Sequence, residues 1–209
     1  MYVRDAKNRE EVWLLDHIEA MGLDETAFRS RDYVIAIDEE TNEKAGFGRI
    51  RIHKTDAASE GASPAGDRPT ADDGEVCELT SIGVLDDWRE QGVGAHVVER
   101  LIQKAGDEGF DTVYSLTDEP DYLQQFGFER IETGQLPAKL HDRLDAKRDA
   151  SAPEAVPMAL AVDDFVMPSK FREAFKRADP AQGDGEPKEG PEDFGIDPDE
   201  ATYKYDTGR

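Results

Sequence analysis

The sequence predicts an α/β fold, because segments with strand patterns and segments with helix patterns alternate along the chain. Residues 33–37 are a continuous apolar run with β-branched side chains, which is typical of a buried strand. Residues 93–105 instead repeat their apolar side chains at helical spacing. Between these segments, a predicted strand over 75–84 leads into a loop that contains Gly92 and Gly94. The central pattern is therefore strand, glycine-containing loop, helix.

Four elements are predicted before this loop, besides the strand that enters it. An amphipathic helix over 7–20 ends at Gly22, and a second, short helix covers 24–29. Residues 45–53 place isoleucines and a phenylalanine among arginines, which is typical of a strand. We expect this strand to form a hairpin with the 33–37 run, because only a short polar turn separates the two.

The segment after the central helix continues the alternation. The predicted elements are strand 112–116, helix 119–126, strand 128–132, helix 136–148, strand 155–162 and helix 165–177. Pro120 begins the short helix, since proline is favoured in a first helical turn. Pro157 lacks a backbone donor, so we expect the strand that contains it to lie at an edge of the sheet.

The composition indicates one folded domain with two appendages. The chain has 209 residues, which suits a single core, and we assign 1–177 to this domain. Within it, residues 55–74 lack large apolar side chains and are expected to form an exposed insertion. Residues 178–209 are acidic and rich in glycine and proline, which is typical of a disordered tail.

The charge balance and the cysteine count exclude several classes of function. A formal net charge of -23 disfavours nucleic acid as a partner and resembles the acidic surfaces of proteins from salt-loving organisms. No run approaches the ~20 apolar residues of a membrane span, and the start lacks a signal peptide, so we expect a cytoplasmic protein without a membrane partner. Cys77 is the single cysteine, interpreted as a buried thiol, and the histidines lack ligand spacing, so we expect no metal.

The segment from Arg89 to Ala95 is the strongest candidate site. A loop that presents backbone N–H groups at a helix N-terminus binds anions, and Gly92 and Gly94 allow a close approach. Arg89 adds a cation directly before the loop. A P-loop would need Lys and then Ser or Thr after Gly94, and a dinucleotide fingerprint would need glycine in place of Val97. Both nucleotide motifs are therefore excluded.

The pattern Arg-x-x-Gly-x-Gly/Ala, after a strand and at the start of a helix, resembles the pyrophosphate motif of the GNAT family of N-acetyltransferases. The stretch 78–89 resembles the fourth strand of that family, and 122–128 resembles its helix-to-strand signature ending in Gly-Phe. The similarity covers roughly residues 1–162. It implies a mixed, mostly antiparallel central sheet flanked by helices, and acetyl-CoA as the co-substrate.

The resemblance also implies which residues bind acetyl-CoA. Backbone groups of Ile82 and Val84 would contact the acetyl carbonyl and the pantetheine arm. The N–H groups of the loop would bind the pyrophosphate, with help from the Arg89 side chain. The implied cofactor-binding residues are Ile82, Gly83, Val84, Arg89, Glu90, Gln91, Gly92, Val93, Gly94 and Ala95.

Two residues are candidates for catalysis by the same resemblance. Glu78 stands where several family members place a general base, which is useful because a lysine-type amine has a pKa of ~10.4 and attacks only when neutral. The alternative for Glu78 is that it pairs with an arginine or faces solvent. Many members use a tyrosine four residues before the glycine of Gly-Phe, but here Leu123 holds that position and Tyr122 lies ~100° away around a helix. Either Tyr122 reaches the sulfur, or it packs and water protonates the thiolate.

The expected reaction is the transfer of acetyl from acetyl-CoA to a primary amine, by direct attack in a ternary complex. A resemblance of residues 136–139 to amino-acid N-acetyltransferases favours a small molecule or an amino acid as the acceptor. The alternatives are a protein or peptide amine, and a module that binds acetyl-CoA without turnover. A homodimer is compatible with each of them.

Overall fold

One mixed sheet of seven strands organises the residues that the computed structural model describes, which are 1–54, 74–150 and 152–180. The neighbouring strands are antiparallel except for one parallel pair, the fourth and fifth. Their spatial order is β1-β2-β3-β4-β5-β7-β6. The strands are β1 (Tyr2–Asp5), β2 (Tyr33–Ile37), β3 (Lys44–Lys54), β4 (Glu75–Val84), β5 (Thr112–Thr117), β6 (Glu129–Arg130) and β7 (Val156–Ala161). The predicted mixed, mostly antiparallel sheet is confirmed.

Helices accompany this sheet within the same described residues. They are α1 (Glu11–Ala20), α2 (Val93–Asp107), α3 (Pro120–Gln124), α4 (Ala138–Ala150) and α5 (Ser169–Lys176). None of these helices combines the length and the apolar character needed to cross a membrane. The fold lies within one compact unit, Met1–Asp179.

Strand β2 is apolar at every position because both of its faces are covered. Tyr33, Ile35 and Ile37 belong to a buried cluster that also contains the apolar side chains of α1. Val34 and Ala36 belong to the larger core cluster, which α2 supplies with its apolar face. A strand that is buried on both faces shows no polar–apolar alternation, which explains the continuous run in the sequence.

The parallel pair of β4 and β5 opens at one end. The two strands pair only from Cys77 to Leu79 against Val113 to Ser115. Beyond this point Ser81 takes a left-handed conformation, with φ of 52°, and β4 has one residue more than β3 opposite it, which is a β-bulge. Strand β5 meanwhile continues its ladder with β7. The result is a gap between the carboxyl ends of β4 and β5.

Residues 24–29 do not form the short helix that we predicted. They form a loop with a turn, in which Ala27 has a left-handed φ of 52°. The buried guanidinium of Arg49 donates to the carbonyl oxygens of Thr26 and Ala27, at 3.0 and 2.8 Å. A helix would direct those carbonyls along its own axis, so this tertiary contact outweighs the local preference.

The prediction that β7 lies at an edge is wrong, because β7 lies between β5 and β6. The carbonyl of Pro157 accepts a hydrogen bond from the Ile131 N–H at 3.1 Å. In a strand, the nitrogen of a residue faces the same side as its carbonyl, so the proline nitrogen also faces β6. Strand β6 ends at Arg130, so its ladder with β7 does not continue past Pro157. The missing N–H of Pro157 therefore breaks no ladder hydrogen bond.

Other predicted boundaries differ in smaller ways. Strand 128–132 shortens to β6, and helix 165–177 begins only after Pro168. Strand β1 was not predicted, because its four residues are too few to show an alternation of polar and apolar side chains. The predicted insertion 55–74 and the predicted tail 178–209 lie outside the described residues, except for Gly74 and the first three residues of the tail.

Candidate active site

The gap between β4 and β5 contains a cavity of about 260 Å³, which we call the β4–β5 cleft. Ile82 and Thr117 line it from the two strands, and Tyr122 lines it from α3. Strand β4 has no paired strand on this side beyond Leu79 within the described residues. An extended molecule can therefore lie in the cleft along Ile82, at the position implied for the acetyl and pantetheine groups.

The loop 89–95 forms a tight turn at the start of α2. Glu90 and Gly92 have positive φ angles of 61° and 77°, and Gly92 is the N-cap of the helix. The His96 N–H bonds to the Gly92 carbonyl at 3.2 Å, and the N–H groups before it have no acceptor within the helix. Arg89 is exposed and pairs with Asp86 at 3.0 Å. The turn thus places these N–H groups at the positive end of the helix dipole.

The side chains of several implied cofactor-binding residues take part in packing inside the protein. The side chains of Val93 and Ala95 are buried in the main core, and Val84 packs against it. A Cβ added at Gly83 would lie 2.7 Å from the Phe47 ring, so this glycine allows close packing on the α1 side of the sheet. For the buried residues Gly83, Val93 and Ala95, the backbone is the part left to contact a ligand.

Helix α5 packs against the start of α2, which the sequence did not predict. A Cβ added at Gly92 would collide with the Phe171 carbonyl oxygen. The Phe175 ring stacks on His96 with centroids 3.8 Å apart, and the Asp179 N–H donates to Gln91 Oε1 at 2.8 Å. The spacing of the two phenylalanines, four residues apart, indicates a helical apolar face but not which surface it covers.

Tyr122 faces the β4–β5 cleft although it stands one residue from the position implied by the family. A Cβ added at Gly94 would lie 2.8 Å from the Tyr122 hydroxyl oxygen, so glycine makes room for this group at the first turn of α2. The ring packs edge-on against Phe126, at 5.2 Å between centroids. Burial raises the pKa of Tyr122 to about 12, so the hydroxyl keeps its proton and can donate it to a hydrogen bond.

Glu78 lies on the opposite face of β4 from the main core, and 1% of the residue is exposed. Its Oε2 is 2.7 Å from His53 Nε2, and its Oε1 accepts a hydrogen bond from Arg143 Nη2 at 3.0 Å. Burial acts to raise the pKa of Glu78, but the His53 hydrogen bond and the Arg143 charge outweigh it and lower the pKa. Glu78 is therefore ionised at neutral pH, and its partners make it a weaker base.

A second cavity of about 620 Å³, which we call the α4 cavity, opens between the loop 21–26, β4 and α4. Asp24 and Arg143 face each other in its wall, with Oδ2 and Nη2 2.9 Å apart. Arg51 lies 3.4 Å from the same Asp24 oxygen. The two cavities adjoin, because both are lined by Leu23, Thr80, Ser81, Asp118 and Lys147.

The sequence did not single out Asp24, Arg143 or Lys147. A weak signal exists, since Arg143 and Lys147 are four residues apart on a helix and beside its buried Leu140 and Leu144. The partners of Arg143 are 119 and 65 residues away in the chain, which no local pattern shows.

The remaining chemical candidates do not form a site. Cys77 is buried, and burial raises the pKa of its thiol, which keeps it protonated and unreactive. Within residues 1–54, 74–150 and 152–180, no three His, Cys, Asp or Glu side chains are grouped so that they could hold a metal ion. Trp88, directly before the loop 89–95, is buried in the main core.

A sequence model of the acetyltransferase (GNAT) family matches residues 2–128. The chain belongs to this family. Acetyl transfer is the activity after which this family is named. The chain is also 29% identical over 66 residues to an uncharacterized N-acetyltransferase of Chlorobaculum tepidum, a match that covers 32% of this chain. It spans only 43% of the length of that curated relative.

Solved structures show the same fold at low sequence identity. The protein Rv2747 of Mycobacterium tuberculosis, solved in complex with CoA, is 16% identical with a TM-score of 0.56, over 77% of this chain and 99% of that one. N-acetylglutamate synthase of Neisseria gonorrhoeae, solved with coenzyme A and N-acetyl-glutamate, is 15% identical with a TM-score of 0.54, over 77% and 34%. A mosquito arylalkylamine N-acetyltransferase-like protein is 7% identical with a TM-score of 0.51, over 77% and 99%.

Proposed function

We propose that this GNAT protein transfers the acetyl group of acetyl-CoA to a primary amine of a small molecule or amino acid, by direct attack in a ternary complex. The observation that carries the proposal is that the β4–β5 cleft and the α4 cavity adjoin at five shared residues. A thioester in the cleft and an amine in the cavity would meet there. Direct transfer needs this contact between two substrates that are bound at once.

The cleft and the loop 89–95 are the proposed acetyl-CoA site. The N–H groups from Gln91 to Ala95 lie at the positive end of α2, where a pyrophosphate is stabilised. Arg89 adds a cation, which pairs with the exposed Asp86 among the described residues. Past Leu79, the backbone of β4 is open on the cleft side and supplies hydrogen bonds to the pantetheine arm, as a neighbouring strand would receive them.

In the proposed reaction the amine nitrogen bonds to the acetyl carbon, and the bond from that carbon to the CoA sulfur breaks. Glu78 accepts the amine proton through water, and Arg143 and His53 limit its basicity. Tyr122 donates a hydrogen bond to the departing sulfur. A thiol has a reference pKa of about 8.5, below that of Tyr122, so the tyrosine stabilises the thiolate rather than giving up its proton.

The experiment measures thermal unfolding with and without acetyl-CoA in high-salt buffer, together with thiol release over a panel of amines. Arg89→Glu should lose the stabilisation by acetyl-CoA, because it repels the phosphates. Arg130→Glu is the matched control, since Arg130 also makes an exposed pair with an aspartate, at 3.1 Å to Asp121. Substitution of Gly92 is a poor probe, because its Cβ would also displace α5. An unchanged melting temperature and no thiol release with any amine would overturn the proposal.

A further inference from the structure

The positive charge of Lys147 has no ion-pair partner among the described residues. Its ammonium donates to the Leu116 carbonyl at 2.5 Å, and no carboxylate of the described residues lies within ion-pair distance. Arg143, the other basic side chain that lines the cavities, is matched by Glu78 and Asp24. Lys147 is half-buried, and it lines both the β4–β5 cleft and the α4 cavity.

An ammonium group in this position is costly without an anion. Taking a charge out of water requires a partner of opposite charge or several hydrogen bonds, and Lys147 has one carbonyl. Burial accordingly lowers the pKa of Lys147, although the more distant charges of Glu78 and Asp118 oppose this. A bound ligand with a carboxylate would supply the missing partner.

Among the five residues that line both cavities, Asp118 is the acidic one and Lys147 is the basic one. Asp118 is exposed and makes no ion pair within the described residues. The junction therefore presents one cation and one anion to the ligand. This is the complement of a zwitterion.

We propose that the acceptor is a free α-amino acid, with its carboxylate bound by Lys147 and its amino group held near Asp118. This inference rests on the proposed acetyl transfer and names its acceptor class. In an α-amino acid the nitrogen lies about 2.5 Å from the carboxyl carbon, as bond lengths and the N–Cα–C angle require. A carboxylate bound at the junction therefore keeps the amine at the mouth of the β4–β5 cleft, and the side chain extends into the α4 cavity.

The test compares each amino acid with its carboxamide and with the amine formed by loss of the carboxylate, over all common side chains. Acetyl-CoA consumption gives kcat/KM for each compound. We expect a roughly 10- to 100-fold preference for the amino acid over its amide, as for a hydrogen bond between charged groups. The preference should appear mainly as a lower KM for the amino acid than for its amide, because Lys147 binds the carboxylate and does not touch the reacting bond.

Two variants separate this role from a structural one. Lys147→Met keeps the length of the side chain and should abolish the preference for an amino acid over its amide. Lys147→Arg keeps the charge and should recover part of the preference. Because the amide is an internal control, a fall in both activities would show a structural role for Lys147 and overturn the inference.

The remaining outcomes are also informative. If the native enzyme acetylates simple amines, amides or peptide amines as well as amino acids, the acceptor assignment is wrong and the proposed acetyl transfer stands. If no amine of any class releases thiol, the proposed function itself fails, and the acceptor assignment fails with it.

Discussion

The β4–β5 cleft and the α4 cavity adjoin, but different interactions hold them in place. The cleft and its loop are enclosed by backbone and aromatic packing, in which Phe171, Phe175 and Tyr122 surround the start of α2. The α4 cavity is held by a charged network that joins Asp24, Glu78 and Arg143. Packing of local elements leaves a motif in the sequence, whereas an ion network between distant segments leaves none.

The largest expected effect is from breaking the charged network. Arg143→Met leaves the buried Glu78 with His53 as its remaining partner, and it removes the cation nearest to Asp24. The free energy of unfolding should therefore fall by about 4 kcal/mol. Denaturant unfolding in high-salt buffer measures this. The double variant, which also carries Glu78→Gln, should lose less unfolding free energy than the sum of the two single variants. A loss below about 1 kcal/mol for Arg143→Met would show that the network does not stabilise the cavity.

A smaller loss is expected from the packing around the loop. Phe175→Ala removes a buried ring that stacks on His96, and should cost about 3 kcal/mol in unfolding free energy. Because the lost contact is apolar, the loss should be the same at two high-salt concentrations. Val166→Ala is the control, since Val166 is an exposed apolar side chain of the same segment and should change little. Equal losses from both variants would contradict the packing role of α5.

Glu78→Gln tests the connection between the network and catalysis. Loss of the proposed base should lower kcat about 100-fold, the low end for a general base, because the pKa of Glu78 is already lowered. KM for acetyl-CoA should not change. Glu75→Gln on the same strand, where the carboxylate makes a surface pair with Lys54, should keep full activity. Normal kcat in Glu78→Gln would assign this residue to structure alone.

The pH dependence of stability follows from the same pKa shift. Since the folded pKa of Glu78 lies below the ordinary carboxyl value of 4.5, its contribution to stability is complete above that pH and is lost as pH falls through the folded pKa. The difference in unfolding free energy between the native chain and Glu78→Gln should therefore shrink below pH 4.5. A difference that stays constant down to about pH 3, roughly 1.5 units below that value, would contradict the shift.

The smallest expected effect is from Tyr122→Phe, which keeps the ring packing and removes one hydrogen-bond donor. We expect kcat to fall about fivefold, equivalent to about 1 kcal/mol, because the hydrogen bond to the sulfur is lost. KM for acetyl-CoA and the melting temperature should stay near the native values. A larger fall in kcat with a new dependence on pH would show that Tyr122 gives up its proton.

The same contrast explains how well each part of the molecule could be predicted. The strand–loop–helix unit around Gly92 was predicted from the sequence, because turn glycines and helical spacing are properties of neighbouring residues. The loop at 24–29 and the inner position of β7 were predicted wrongly. Arg49 and the short strand β6 decide those two features, and both are distant in the chain.

The sequence by itself determined the fold class, most of the elements and the position of the glycine turn before α2, because each depends on the pattern of residues within one segment. Only the tertiary structure decided that Tyr122 faces the cleft, that α5 covers the loop, that Arg143 pairs with Glu78, and that Lys147 and Asp118 line the same two cavities. These features depend on how helices rotate and cross the sheet. The orientation of each helix on the sheet depends on the fit of buried surfaces and charges from distant parts of the chain. No local sequence pattern therefore predicts it.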